Sequence, residues 1–488
     1  MGALRDWRHG VEQTTWYPWL VFAAVVNGPF MANVDSSIVN VALPVLERQF
    51  DVGPSVLQWV ISAYVLMITG ILPVVGNLSD RSNRKHIFIF GTVVFTLGSI
   101  LCAFSASIDE LIAFRVIQSV GGAILMGNSM SIVAYVFPAG RRGKPLGLIG
   151  STIAAATVVG PSLGGLLISW FSWRAIFWVN VPVGCFSIVM SLIVMMDITP
   201  RKEPKVFDYF GAVYFFAAVV SLLLMVSEGQ TWGWGQPVTW LVFLCSVVFW
   251  VLFVRRELRV ESPLIHLGLF KSTAFSLGNL SGYLFYIMMM FPSFILPLYM
   301  RHVLNIPIAN IGLLLTPQAI SMIIFSPLGG WLADKYGTTT PTVAGTAVAT
   351  TGLCLLMRLG PHSTYVYIIA ALATFGLGMA LFTSPNNVSV LESVPVEKTG
   401  LTGSLIATVR NAGRVSGVAI AVLLLQVSVS AAQLQTSSGF DHASSVAFAG
   451  AVVTGAVVTL VNLVRFWLHR SQTALASQGD VAAPGSER

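Results

Sequence analysis

Long apolar stretches recur along almost the whole chain and limit what it can fold into. About fourteen such stretches, each close to the ~20 residues that a helix needs to cross a bilayer, alternate with short polar segments. Only 10% of the 488 residues are charged and 55% are hydrophobic, whereas soluble proteins carry about 25% charged residues. The sequence therefore predicts an all-α polytopic membrane protein.

Breaks in the apolar pattern divide the predicted helices into three groups. Residues 1–199 hold six helices, residues 200–262 hold two helices with basic linkers, and residues 263–470 hold six more. Ser, Ala, Gly and Gln dominate 471–488, a composition typical of a disordered tail. The helices are predicted near 17–43, 54–78, 86–106, 110–136, 145–169, 174–197, 209–228, 238–255, 273–299, 308–333, 341–358, 363–390, 401–427 and 446–468.

Lysine and arginine are concentrated in alternate loops. The intervening loops hold few cations, mainly Arg48, Arg174, Arg301 and Arg358. This positive-inside pattern predicts a multi-pass protein of the cytoplasmic membrane with both termini in the cytoplasm. The net charge of +7 is thus explained by topology, and we expect no nucleic-acid partner. The concentrated cations are Arg81, Arg84, Lys85, Arg141, Arg142, Lys144, Arg201, Lys202, Lys205, Arg255, Arg256, Arg259, Lys271, Lys335, Arg465 and Arg470.

An internal repeat relates the two large groups of helices. Gly76-Asn-Leu-Ser-Asp80-Arg81 follows the second helix, and Gly330-Trp-Leu-Ala-Asp334-Lys335 follows the tenth, 254 positions later. That interval is longer than six helices and leaves room for an inserted helix pair. Repeats of this kind are typical of transporters in which the substrate site lies between two related halves.

Asp35 lies inside the first apolar stretch, where an isolated carboxylate costs at least ~2.5 kcal/mol and calls for a proton, a cation or a partner. Arg115 and Gln118, three residues apart, share one face of the fourth predicted helix. A buried guanidinium must be hydrated or paired. Arg115 therefore serves either as a structural group, paired or bonded to carbonyls, or as a charge that favours proton release from a nearby acid. Asp35 could instead simply bond Asn40 or another helix.

Two further motifs indicate close helix contacts. Gly76 permits tight backbone approach beside Asp80, Arg81 and Arg84, which form either a topology anchor or a gate. The run Gly160-Pro161-Ser-Leu-Gly164-Gly165 combines a proline kink with small residues that allow tight crossing.

These strings together resemble a known family. The Gly76–Lys85 loop, Arg115–Ala123 and Gly160–Gly165 are similar to motifs of the major facilitator superfamily. Asp35–Pro44 and Trp173–Gly184 resemble motifs of its fourteen-helix drug:proton antiporters. Departures are Asn83 and Ser119 at usual glycine positions, and Ser37 at a usual threonine position.

The resemblance implies a major facilitator fold, with two six-helix bundles, two inserted helices and a central cavity that opens alternately to each side. It implies a proton-coupled antiporter that exports lipophilic or cationic drugs, with protons as the coupling ion and no other cofactor. We expect contact with membrane lipid and a monomeric state. In this scheme Asp35 is the acid that binds the coupling proton or a cationic substrate, and Arg115 is the charge that modulates it. Gly76, Asp80, Arg81 and Arg84 form the cytoplasmic gate, and Gly160, Pro161, Gly164 and Gly165 form the hinge.

Several side chains are candidates for the cavity wall: Asn40, Trp59, Tyr64, Gln118, Phe291 and Arg410. Arg410 lies where the family often has arginine, in the thirteenth helix. Arg414 is a less expected second charge, which could snorkel, pair, or bind an anionic group.

Other function classes find little support. An exporter or flippase of an endogenous lipid or metabolite is the main alternative, because an apolar cavity suits both. We expect no enzyme, no catalytic residues and no metal site, since HExxH, GxSxG and clustered Cys/His sets are absent from the sequence. The run Gly140-Arg-Arg-Gly143-Lys144-Pro145 lacks the spacing of a phosphate-binding loop.

Overall fold

The computed structural model describes residues 14, 16–198, 207–429 and 436–481. Regular structure in these residues is entirely helical, and fourteen helices in this part of the chain are long and apolar enough to cross a membrane. The all-α, fourteen-span prediction is confirmed.

The spans are numbered α1 to α14 in chain order. Two of them are interrupted: α1 consists of Tyr17–Val25 and Asn27–Phe50, and α6 consists of Ala175–Trp178 and Asn180–Val194. The others are α2 (Pro54–Arg81), α3 (Arg84–Phe104), α4 (Ile108–Val136), α5 (Gly143–Trp170), α7 (Tyr209–Trp232), α8 (Pro237–Glu257), α9 (Thr273–His302), α10 (Ile308–Tyr336), α11 (Thr339–Met357), α12 (Tyr365–Glu392), α13 (Thr399–Ser428) and α14 (Ser437–Val481).

The observed ends differ from the predicted ones in the first and last spans. α1 continues through Pro44 to Phe50, and the residue that follows it, Asp51, has the left-handed backbone angle φ 50°. α14 continues to Val481, so that 471–481 is helical rather than a disordered tail; alanine, leucine and glutamine in this segment favour helix. The remainder of the predicted tail, 482–488, lies outside the described residues.

Two groups of helices form the two halves of the molecule. In the first half, α4 packs on α2 and α3, and α5 packs on α1. In the second half, α12 packs on α10 and α11, and α13 packs on α9. The halves meet through α5 against α10 and α2 against α13, while α7 and α8 pack on each other and α7 touches α2 and α13.

Small residues bring neighbouring backbones together within each half. A Cβ on Gly121 would collide with the backbone of Phe95, and one on Gly378 would collide with the backbone of Ala349. Helices in lipid gain their association energy from close van der Waals packing, so glycine at these contacts stabilises α3 on α4 and α11 on α12.

The two sides of the membrane protein differ in charge. We call the side that holds the α4–α5 loop, with Arg141 and Arg142, the basic face, and the opposite side the outer face. Because the number of spans is even, the chain returns after α14 to the side from which α1 starts.

Topology predicts which loops an impermeant reagent can reach. In a variant without the four native cysteines, Arg141→Cys should react with an impermeant maleimide only in inverted vesicles, because basic loops stay in the cytoplasm. His362→Cys, in the outer-face loop between α11 and α12, is the matched control and should react in intact cells. Both side chains are exposed, so labelling of Arg141→Cys in intact cells would contradict the orientation.

Candidate functional site

A buried ion pair joins α1 to α4. The guanidinium Nη1 of Arg115 donates to Oδ2 of Asp35, and both side chains are completely shielded from solvent. Gln118 Nε2 donates to Asp35 Oδ1 at 2.8 Å, and Asn180 Nδ2 donates to the same oxygen at 3.0 Å. The structure thus brings Asp35 of α1 into contact with Arg115 and Gln118, which share one face of α4.

Further contacts hold the arginine in place. Arg115 Nε donates to the Val60 carbonyl at 3.2 Å, and its Nη1 also donates to Gln118 Oε1 at 2.8 Å. The guanidinium carbon lies 3.9 Å from the centre of the Tyr64 ring, a cation–π contact. Asn40, the other proposed partner of Asp35, donates instead to the Ser36 carbonyl at 3.2 Å. The Asp35–Arg115 pair is therefore the centre of a formally neutral hydrogen-bond network that is enclosed by protein on all sides.

A central cavity of about 330 Å³ lies between the two halves. Its wall combines amides and hydroxyls with five methionines, one tyrosine and two arginines. The lining residues are Asn33, Ser36, Ser37, Asn40, Met130, Leu146, Ile149, Gly150, Ile153, Ala154, Thr157, Tyr286, Met289, Met290, Ser293, Gln318, Ala319, Met322, Met379, Thr383, Asn387, Arg410 and Arg414. Such a wall suits a small organic molecule, since a few polar groups fix orientation while apolar groups supply contact area.

Asp35 does not line this cavity. Its neighbours Ser36 and Ser37 do, whereas its carboxylate turns towards Arg115 in the packed interior of the first half. The lining contains no acidic side chain, and its two formal charges are both positive. Asp35 therefore does not contact a molecule bound in this cavity in the present conformation.

A wider vestibule of about 780 Å³ continues from the cavity towards the outer face. Asn40 lines both spaces. Leu43, Glu47 and Gln58 line the vestibule further out, and the inserted helix α7 contributes Val226 and Ser227. The vestibule therefore adjoins the central cavity at Asn40, on the side of the outer face.

The candidates for the cavity wall fall into two groups. Asn40 and Arg410 lie in the lining. Tyr64, Gln118 and Phe291 are fully buried among packed helices, and Trp59 packs half-buried against the core of the first half. The aromatic candidates were misplaced because a long apolar side chain in a membrane helix packs equally well against protein, and sequence does not show which face of the helix looks inward.

Two carboxylates close the basic face. Asp80 accepts from the backbone N–H groups of Gly400 and Leu401 at 2.7 and 2.8 Å, at the start of α13. Asp334, its counterpart in the repeat, accepts from Gly143 and Lys144 at 2.8 and 3.1 Å, at the start of α5. A carboxylate is favoured at a helix N-terminus because unpaired N–H groups and the helix dipole both attract negative charge.

The two contacts form a reciprocal latch, because each half supplies one carboxylate and one helix start. Arg84 supports the first contact by donating to Asp80 at 2.8 Å and to the Val396 carbonyl of the second half at 3.2 Å. Arg81 donates to Asn77 within its own helix at 2.5 Å and to Ser262 at 3.0 Å, so it ties α2 to the segment before α9. Gly76 and Gly330 have no room for a Cβ against the facing helix.

The glycines of α5 set its contact with α1. A Cβ on Gly160 would collide with Ser37, and one on Gly164 would collide with Ile38, whereas Gly165 faces open space and Pro161 is exposed. Ser37 Oγ donates to the Ala156 carbonyl at 3.1 Å. The segment of α1 that carries Asp35 is thus fitted closely onto α5.

Sequence reasoning missed three contributors. Asn180 lies within the Trp173–Gly184 motif, and an amide inside an apolar span is a usable signal that the motif alone does not assign to a role. Asp334 was noted only as a repeat. The methionine wall left no signal, since methionine is common in membrane helices.

Comparison with known proteins agrees with this architecture. The profile of the Major Facilitator Superfamily matches residues 25–417 and 278–484. The chain belongs to this superfamily. The resemblance drawn from the motifs is therefore confirmed, and this major facilitator protein is a transporter rather than an enzyme.

Individual relatives differ in what their names record. The chain is 31% identical to the riboflavin transporter RibZ of Clostridioides difficile over 89% of its own length and 96% of that protein. It is 30% identical to the multidrug resistance protein Stp of Mycobacterium tuberculosis over 82% and 74%, respectively. The crystal structure of the human organic anion transporter MFSD10 matches with a TM-score of 0.67 over 92% of this chain and 100% of that one; at 12% identity this shows the fold alone.

The latch predicts how the basic face opens. Asp80→Asn or Asp334→Asn should weaken a contact worth about 1–2 kcal/mol and so raise the open fraction about 5- to 30-fold. Ser326→Cys reports this opening, because Ser326 is buried between α5 and α10 and its hydroxyl has no partner. Its reaction with a maleimide from the basic face should accelerate accordingly. Asp109→Asn, an exposed acid at the start of α4, is the control and should leave the rate unchanged; equal rates in all variants would argue against the latch.

The α5 glycines allow a matched test of the α1–α5 contact. Gly164→Leu should lower the melting temperature and abolish transport, because overpacking against Ile38 costs about 1–3 kcal/mol and displaces α1. Gly165→Leu adds the same side chain where space is open and should behave like the wild type. Similar behaviour of the two variants would show that close packing at Gly164 has no role.

Proposed function

We propose that this protein is a proton-coupled antiporter that exports lipophilic small molecules from the cytoplasm. The buried Asp35–Arg115 pair is the observation that carries the proposal. Asp35 is an acid at membrane depth, one residue from Ser36 in the cavity wall. Intramembrane acids of this kind commonly serve as proton relays. The vestibule open to the outer face and the latched basic face fit one state of an alternating-access cycle.

Proton binding would act on this pair directly. Arg115 keeps its positive charge at any ordinary pH, so protonation of Asp35 leaves an uncompensated guanidinium inside the protein. The ionised pair therefore belongs to the conformation seen here, and a protonated Asp35 favours a conformation in which Arg115 finds another partner or water. Because α1 is fitted onto α5, and α5 carries one side of the latch, the charge change can reach the basic face.

Two observations bear on the class of substrate. The name of Stp records multidrug resistance, and the methionine wall suits ligands of varied shape, since the methionine side chain is flexible and polarizable. The family resemblance implies cationic as well as lipophilic substrates. Asp35 does not support a preference for cations in this conformation, because it is paired with Arg115 away from the cavity.

Export of an endogenous metabolite is the second candidate. RibZ, named as a riboflavin transporter, is similar to this chain over nearly its full length. A cavity of about 330 Å³ lies in the range of sites for small organic ligands. A metabolite exporter would use the same gate and the same coupling pair, so only direct transport of defined compounds separates the two functions.

The test is transport into inverted vesicles with and without an imposed pH gradient. Riboflavin, rhodamine 123 and fluorescein are neutral, cationic and anionic aromatic probes, and we expect accumulation of at least one to depend on the gradient. Asp35→Asn should insert normally yet lose gradient-driven accumulation, because an amide does not titrate. Asp109→Asn is the control and should retain it. Accumulation by Asp35→Asn at the wild-type rate, or accumulation that ignores the gradient, would refute the proposal.

A further inference from the structure

Two arginines face the central cavity from α13. Arg410 is 4% exposed, and Arg414 lies one helical turn further along the same face; both line the cavity. Like charges at this spacing repel each other, and a low-dielectric surrounding strengthens that repulsion. Such an arrangement is unfavourable unless negative charge is supplied.

Neither arginine has an anionic partner among the described residues. Nε of Arg410 and Nε of Arg414 are buried without any hydrogen bond. Nη2 of Arg410 lies 3.9 Å from the sulfur of Met126, a long contact. The guanidinium carbon of Arg414 lies 5.8 Å from the centre of the Tyr286 ring. Glu47 lines the outer vestibule rather than the cavity. Buried charges are normally paired. These two guanidinium groups depart from that rule, because no acidic side chain of the described residues pairs with either of them.

The other buried arginines in the described part of the chain are bonded. Arg115 pairs with Asp35, and Arg84 pairs with Asp80. Arg465 donates to Asn386 at 2.9 Å and to Ser389. Among the described residues, Arg410 and Arg414 are thus arginines of the cavity wall that have neither an acidic partner nor a bond from Nε.

We propose that Arg410 and Arg414 bind the anionic group of an amphipathic organic substrate, such as a carboxylate, sulfonate or phosphate attached to an aromatic body. A guanidinium presents several N–H donors in a planar fork that matches these oxygen pairs. The apolar body would lie against the methionine wall and Tyr286, and the hydroxyl of Thr383, also in the lining and without a partner, offers one more donor. This inference names the substrate class of the proposed exporter and rests on that proposal for its physiological meaning.

Equilibrium binding to the purified full-length protein tests the charge preference without a proton gradient. Fluorescein and rhodamine 123 share a tricyclic ring system but carry opposite charge at mildly alkaline pH. Fluorescein should bind more tightly by fluorescence anisotropy. Arg410→Gln and Arg414→Gln should each weaken fluorescein binding at least about tenfold, as expected for the loss of a hydrogen bond to a charged group. Arg410→Lys should retain part of the affinity, and Arg301→Gln, at an exposed position on α9, should retain all of it.

Thermal stability separates a binding role from a structural one. In the ligand-free protein Arg410→Met should leave the melting temperature unchanged or raise it, because it removes an unpaired buried charge. Arg465→Met is the matched comparison and should lower it, because Asn386 and Ser389 lose their partner. A loss of stability in Arg410→Met equal to that in Arg465→Met would assign Arg410 to the fold and overturn the inference.

The remaining outcomes are equally decisive. Absence of fluorescein binding, tighter binding of rhodamine 123, or wild-type affinity in both glutamine variants would overturn the anion site; the last would fit arginines that pair with an acid of the chain in another conformation. Fluorescein binding that needs Arg410, together with transport that ignores the pH gradient, would refute proton coupling and leave the anion site standing. Proton-coupled export of rhodamine 123 without binding of fluorescein would refute the anion site and leave proton coupling standing.

Discussion

The cost of an unpaired charge in a low-dielectric interior governs the arrangement of this protein. Asp35 and Arg115 neutralise each other, and Gln118 and Asn180 both donate to the second oxygen of the carboxylate. Removing either charge would leave the other uncompensated, at a cost of about 3–5 kcal/mol. A single proton can therefore destabilise one conformation relative to another, since protonation removes one charge as effectively as a substitution.

Contacts between the halves use a weaker and more reversible interaction. At the basic face, Asp80 and Asp334 bind the N-terminal N–H groups of α13 and α5. Each contact contributes on the order of 1 kcal/mol, and water can replace it when the halves separate. The closest approach is made by glycines rather than by interlocking large side chains. This combination allows the face to close specifically without holding it shut permanently.

Much of the architecture could be predicted because the bilayer imposes length and apolarity on each span. The number of spans, the repeat of Gly76–Asp80 in Gly330–Asp334, and the choice of Asp35 and Arg115 as unusual residues all follow from that constraint. The residues that form the cavity wall could not be predicted from that constraint. Tyr64 and Phe291 are as apolar as a lining residue needs to be, yet they are packed against neighbouring helices, and helix rotation is set by partners far away in sequence.

By itself the sequence determined that the chain spans the membrane, that its halves are related, and that Asp35, Arg115, Arg410 and Arg414 each carry a charge that the membrane disfavours. Tertiary structure alone decided how each of these charges is accommodated. α1 and α4 bring the first two into contact, whereas α13 turns the other two towards the cavity without a counter-ion. The physical reason is that desolvation depends on the residue and its depth, which a sequence records, while pairing depends on distances of a few ångströms between helices, which only their packing fixes.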